Sequence, residues 1–342
     1  MSARFVQVYQ SLSQIPTNPF HMPIACVANQ FWMRTPSGEL LHVAGEDVGK
    51  VYYVYGNTGS DSNNGKSRAT PFRTMAAAFD VLASGDTIVL RENIREQLDT
   101  PAGVFGVRIV GDGWNTRHPD AHTTNGGYFG ARWNAPASPT AATPLLNLRQ
   151  QGWLVENILF TGSSADTVDC VQLYRDGGAG DAERDASHAI VRGCRFQGGR
   201  YGIVDSGGCA RIVIKGCEFL LFSNSGDVAI KNVTGAGIGT LWGWDIGGSP
   251  ADKNIFRANE SDIVAALTNA SIKYNEHDFV SLGVTNTTAI NLTGGSRNKL
   301  RFNDLGVAED DAQAARITLG TGDVAGPNYW ATAAEEYLLG QA

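Results

Sequence analysis

Tyr53-Val-Tyr-Gly-Asn-Thr-Gly-Ser-Asp-Ser-Asn-Asn-Gly65, then Thr70-Pro-Phe-Arg-Thr-Met-Ala-Ala-Ala-Phe-Asp80 and Gly85-Asp-Thr-Ile-Val-Leu90, read as strand, turn, capped helix, turn and strand. The Thr70 side chain is placed to accept an orphan helix N–H, and Pro71 takes the first helical position, where its missing donor costs nothing. Phe72, Met75, Ala76, Phe79 and Leu82 recur at three- and four-residue spacing and give one apolar stripe. Gly85 supplies the left-handed conformation that closes the helix. A short helix with one apolar stripe needs a surface to cover.

Beyond it run short β-branched segments separated by Gly, Asn, Asp and Ser. They can be followed as Val107–Val110, Trp153–Phe160, Ala189–Phe196, Ile212–Phe219, Asn254–Phe256, Ser271–Tyr274 and Lys299–Phe302, most of them closed by an aromatic. Gly193-Cys-Arg-Phe196 and Gly216-Cys-Glu-Phe219 repeat one phrase with Cys194 and Cys217 23 positions apart, a plausible length for one solenoid coil. The two cysteines are expected to stack as small apolar side chains rather than act as thiols. Asn259, Asn275 and Asn303 follow an aromatic closely, where an amide bonds turn backbone or stacks in a ladder between coils.

On the quoted stretch the chain resembles the right-handed parallel β-helices of the pectate-lyase-like class, over roughly residues 51 to 330. The resemblance implies an all-β, single-stranded parallel β-helix with a short N-terminal capping helix. Residues 1–50 read as a separate small β module: an arm through Ile15-Pro-Thr-Asn-Pro-Phe20, then a hairpin of Asn29–Arg34 and Glu39–Val43 across Thr35-Pro-Ser-Gly38. Phe20, Phe31 and Trp32 there are candidates for assembly contacts, and the alternative is a strand pair that caps the solenoid end. Residues 331–342, with Trp330–Leu339 read as a short helix, would cap the last coil or dock on a partner through Tyr337 and Leu338.

A net charge of −7 without a basic stripe argues against a nucleic-acid partner. No stretch is long and apolar enough for a membrane span, and residues 1–10 lack the pattern of a secretory signal. Five cysteines without a Cys-x-x-Cys pair offer neither a complete disulfide framework nor a zinc set. No cofactor or metal is expected.

Exposed loops are where chemistry should lie. The 111–133 insertion offers Trp114, His118, Asp120, His122, Tyr128 and Trp133, and the 240–245 segment offers Trp242 and Trp244. Rings beside amides and acids suit stacking on and hydrogen bonding to sugars. His118, Asp120 and His122 alternate as metal ligands do, yet an adhesive loop explains them at least as well. The acids of Arg175–Asp185 and the pair Asp310-Asp311 read as solvated loops. The Gly-His-Gly of pectin hydrolases and the Asp-rich calcium cluster of the lyases are both missing, so no catalytic residue carries over.

The resemblance to bacteriophage β-helices, together with the missing signal, implies a virion structural protein. The expectation is a capsid decoration (cement) or spike protein, a homotrimer contacting the major capsid protein or another virion protein and adhering to host surface polysaccharide. The competing expectation is a tailspike-like depolymerase, a lyase or hydrolase of bacterial surface glycan.

Overall fold

The computed structural model describes residues 7–8, 24–27, 30–34, 40–44, 49–113, 130–163, 167–175, 185–233, 241–278, 280–281, 284–285, 288–304, 317–326, 328–331 and 336–339. The chain divides into two compact units, Met1–Lys50 and Val51–Ala342. In the first, Gln7–Val8 pairs parallel with Ile24–Val27, which pairs antiparallel with Gln30–Arg34, which in turn pairs antiparallel with Leu40–Ala44.

The second unit is a right-handed parallel β-helix. Each coil contributes one strand to each of three sheets, and strands pair with their equivalents in the next coil. The first sheet contains Arg108–Gly111, Leu154–Glu156, Ile190–Arg192, Val213–Lys215, Asp245–Gly247 and Ser271–Lys273. The second contains Ala131–Asn134, Leu159–Thr161, Arg195–Gln197, Glu218–Leu220, Ile255–Arg257 and Glu276–Asp278. The third contains Leu146–Leu148, Asp169–Leu173, Tyr201–Asp205, Val228–Asn232, Ser261–Val264 and Thr288–Asn291. Thr87–Ile94 runs through the first two sheets and bends at Glu92, whose φ is +67°. Parallel strands need a crossover connection, and here the rest of the coil is that connection.

Strand alternation sends one file of side chains from each sheet inward. Ile88, Ile109, Val155, Val191, Ile214, Ile246, Ile272 and Leu300 lie in register in the first sheet, and all are buried. The third sheet contributes Leu146, Val171, Ile203, Ile230, Ile263 and Ile290. Between these two aliphatic files stands an aromatic one. Trp133, Phe160, Phe196, Phe219, Phe256 and His277 stack with centroid separations of 5.7, 5.3, 4.9, 5.0 and 4.8 Å. These separations follow the strand spacing, so every ring is held at stacking distance by the backbone.

At the corner between the first and second sheets the chain needs a left-handed residue in successive coils. Gly193 and Gly216 fill it with φ of +61° and +66°, while Tyr274 and Phe302 take the same conformation at +55° and +56°. The two rings stack on each other at 5.1 Å, which offsets part of the backbone strain. Tyr274 and Phe302 are thus corner residues and do not continue the buried file that Phe256 belongs to.

The residue after that corner faces inward and changes character along the solenoid. Cys194 and Cys217 are buried neighbours, as their 23-residue phrase implied. Next come Asn254, Asn275, Asn303 and Asn328. Asn254 Nδ2 donates to Asn275 Oδ1 at 3.0 Å, Asn275 Nδ2 to Asn303 Oδ1 at 2.9 Å, and Asn303 Nδ2 to Asn328 Oδ1 at 2.9 Å. The ladder therefore takes Asn275 and Asn303 and excludes Asn259. That residue sits at the corner before the third sheet, where its amide serves Phe222 N, Phe219 O and Asp262.

The N-terminal helix is Met75–Phe79, shorter and later than the expected start at Thr70. Phe72 is held in a parallel bridge to Val54, and the Asp61 carboxylate accepts the N–H groups of Arg73 and Thr74, so the chain stays extended through Thr74. Thr74 is the N-cap, its Oγ1 accepting from Ala77 N at 3.1 Å, and Glu96 accepts from Met75 N and Ala76 N. Gly85, with φ of +83°, turns the chain into the next strand, beyond the helix end at Phe79. The buried face, Met75, Ala78 and Phe79, covers the core, with Phe79 edge-on to Trp153 at 5.9 Å. The expected C-terminal helix is instead a hairpin, Asn328–Ala331 paired antiparallel with Glu336–Leu339. Asn328 is already extended as the last rung of the ladder, so the chain reaches Trp330 as a strand.

Candidate functional site

Of the residues proposed from sequence, Trp133 and Trp244 are structural. Both are buried: Trp133 starts the aromatic file and donates Nε1–H to Glu96 O at 2.9 Å, and Trp244 donates to Cys209 O at 2.8 Å. Trp133 points inward from the strand Ala131–Asn134, and Trp244 is buried immediately before the strand Asp245–Gly247. Trp114, His118, Asp120, His122, Tyr128 and Phe20 lie outside the described residues. Phe31 and Trp32 fall in the strand Gln30–Arg34, and Tyr337 and Leu338 in Glu336–Leu339. Trp242 is 45% exposed, with the Arg211 guanidinium 5.4 Å from its ring centroid and His188 Nε2 3.3 Å from Arg211 Nη1.

The outward side of the third sheet brings together chemistry that no local motif announced. Its central file reads Asp99, Asn147, Gln172, Val204 and Lys231 on neighbouring strands. Asn147 Nδ2 donates to Asp99 Oδ1 at 2.8 Å, and Arg149 donates to the other Asp99 oxygen at 2.5 Å while its guanidinium lies 5.0 Å over the Tyr174 ring. Gln172 donates to Ser206 Oγ at 2.7 Å. At the start of the strands Arg200 holds the Asp169 carboxylate through two bonds of 2.9 and 2.8 Å and lies 4.8 Å over Tyr201.

Burial pushes the Asp169 pKa up, and the bonds to Arg200 only partly reverse it. Burial also lowers the Lys231 ammonium from its ordinary value. Lys231 has no ion-pair partner among the described residues. Asn147 is only 8% exposed, and its Oδ1 accepts no hydrogen bond among the described residues. A buried acceptor without a partner is an exception among native polar groups.

Elsewhere, Asp185 pairs with Arg175 at 3.8 Å and accepts from Ser187 N, while Asp181 and Glu183 lie outside the described residues. Cys170, Cys194, Cys209 and Cys217 are buried and form no disulfide among the described residues, and burial pushes the thiols of Cys170, Cys194 and Cys209 up, away from thiolate chemistry. Among the described residues no three His, Cys, Asp or Glu side chains converge as metal ligands, and no helix is long and apolar enough to cross a membrane.

No family model matches the chain, and no curated protein is similar to it. Among solved structures it is similar to a GH136 lacto-N-biosidase from Eubacterium ramulus, at 13% identity over 82% of this chain and 56% of that one, with a TM-score of 0.45. It is similar to a rhamnogalacturonan lyase at 13% identity over 75% and 68%, TM-score 0.48. It is also similar to ORF18 of Geobacillus virus E2 at 10% identity over 96% and 73%, TM-score 0.34. The chain spans little more than half the length of the lacto-N-biosidase. None of these likenesses carries a function to this chain.

Proposed function

We propose that this is a virion protein of the β-helical decoration or spike kind that adheres to host surface glycan through the outward side of its third sheet. The virion assignment continues the resemblance to bacteriophage β-helical spike and decoration proteins. The observation that supports adhesion is the polar file of Asp99, Asn147 and Gln172 beside Arg149 and Tyr174. Asp99 and Gln172 are suited to hydrogen bonds with sugar hydroxyls, and the rings of Tyr174 and Tyr201 offer apolar faces. Retention on immobilised host polysaccharide tests the reading. Arg149→Ala and Tyr174→Ala are expected to weaken retention tenfold or more, with Trp242→Ala unchanged. Loss in Trp242→Ala alone would move the site to the turn that carries Arg211.

A depolymerase is the second reading, and Lys231 is what favours it. A lysine whose pKa is lowered by burial is suited to take a proton from the carbon beside a uronate carboxyl, and Arg200 on the same face is suited to charge neutralisation. Incubation with uronate-containing polysaccharide would then release unsaturated chain ends in the parent protein and none in Lys231→Met. Intact polymer with the parent protein leaves adhesion alone.

A further inference from the structure

On the outward side of the first sheet, Leu154, Ile190 and Val213 stand in register on adjacent strands, and all three remain partly exposed. One strand further out, the same file carries Arg108 at one end and Asp245 at the other. Two residues along each strand a second outward file reads Val110, Glu156, Arg192 and Lys215. Read outward from the Ile190 strand, the first file mirrors in shape and inverts in charge, Leu154 answering Val213 and Arg108 answering Asp245, and in the second file Glu156 answers Lys215.

We propose that a second copy of this chain docks on this face, antiparallel, about a two-fold axis running along the strands at the level of Ile190 and Arg192. Rotation about that axis keeps each file over itself and reverses the order of the coils. Leu154 then meets the partner subunit's Val213, and Ile190 meets its own copy. Arg108 meets the partner subunit's Asp245, and Glu156 the partner subunit's Lys215. An isologous contact requires this self-complementarity, and unrelated surfaces do not supply it.

Other symmetries fail on the same residues. A two-fold axis along the solenoid would set Leu154 against Glu156, Ile190 against Arg192 and Val213 against Lys215. A three-fold axis on this face would gather three copies of Arg108 at one level and three of Asp245 at another, so the trimer expected from resemblance does not use this surface. The charges are available for exchange. Arg108 reaches Glu156 only at 3.9 Å and Asp245 reaches Lys273 only at 3.7 Å, with Arg108 52% and Asp245 39% exposed at the side chain. Arg192 is held by its own Glu156 at 2.9 Å, so the two guanidinium planes on the axis meet already neutralised.

Sedimentation equilibrium of the full chain tests the inference, with a thermal melt confirming that each variant is folded. The parent is expected to be a dimer. Arg108→Asp is expected to weaken association at least tenfold, and Arg108→Asp with Asp245→Arg to recover it, because the double exchange restores both contacts across the axis. Ile190→Cys is expected to give a disulfide-linked dimer on oxidation and Ser271→Cys none. A monomeric parent, a trimer indifferent to Arg108→Asp, or a double variant no tighter than the single one overturns the proposal.

Discussion

The coils from Ala131 to Cys217 and those from Asn254 to Asn328 share one backbone geometry, yet they fill the same inward corner position by opposite means. In the earlier coils the position holds Ile158 and the two cysteines, beside a continuous stack of rings. In the later coils it holds amides that bond along the solenoid axis, and the ring file ends at His277, whose Nδ1 lies 2.8 Å from the equally buried Asp262. Neighbouring strands space side chains at about 4.8 Å, which suits both a ring stack and an amide ladder. The backbone thus fixes the spacing and leaves the chemistry open. Dispersion in the first region is non-directional and sensitive to volume, whereas the ladder tolerates little change of donor and acceptor.

The largest expected effect comes from breaking the stack. Phe196 sits between Phe160 and Phe219 at 5.3 and 4.9 Å and is fully buried, so Phe196→Ala removes two ring contacts and opens a cavity. A loss of about 3–5 kcal/mol in urea-unfolding free energy is expected, and Phe196→Leu should recover much of it. Breaking the ladder should cost somewhat less. Asn275→Leu keeps the branched shape but removes the acceptor of Asn254 Nδ2 and the donor to Ile246 O and Asn303 Oδ1, at about 2–3 kcal/mol. Here no apolar replacement should rescue. Equal rescue by leucine at both positions would show that the two regions are not held differently.

The boundary between the regions gives a sharper test of smaller size. Cys217 N already donates to Asn254 Oδ1 at 2.9 Å, so Cys217→Asn places a new amide directly above an existing rung. Cys194 lies one coil further from the ladder, and its neighbours toward the N-terminus are Val155 and Ile158. Cys194→Asn is therefore expected to cost about 1–2 kcal/mol more than Cys217→Asn, the penalty of an unsatisfied buried amide. Equal costs at the two positions, measured in the same urea series, would mean that the ladder does not propagate.

Much of this contrast was legible in the residues. The paired Gly-Cys-x-Phe phrases gave a coil length and placed Cys194 over Cys217, because two successive coils there lack insertions. Asn275 and Asn303 stood out because each directly follows an aromatic, Tyr274 and Phe302. Asn254 and Asn328 did not, since Asn254 precedes its aromatic and Asn328 follows the 305–316 segment, so neither shared the spacing of the others. The third sheet was invisible because its strands follow corners of unequal length. Asp99, Asn147 and Gln172 are 48 and 25 positions apart and become one file only when the register is known. Trp133 and Trp244 misled for a related reason: an aromatic beside glycines and polar residues looks like an exposed loop until the strand that contains or follows it is assigned.

The smallest effect concerns the outside of the polar region, where electrostatics can be separated from the ladder. Glu276 projects from the second sheet toward Lys253 and toward Arg257 at 3.6 Å. Burial pushes its pKa up, but the bonds and charges of Lys253 and Arg257 outweigh that, and the net displacement is downward from 4.5. A carboxylate depressed in the folded state binds fewer protons there than in the unfolded chain. Its stabilisation is therefore complete above about pH 5 and is lost as pH falls through the folded pKa. Glu276→Gln should lower the melting temperature by a few degrees or less at pH 7, and the difference from the parent should close as pH drops below the unfolded value. Asn275→Leu, on the inward side of the same coil, replaces one uncharged side chain with another and should show a deficit independent of pH over that window. A Glu276→Gln deficit that stayed constant into acid would mean that the contact is one of packing, and that the charges outside this region add nothing to what the ladder holds inside.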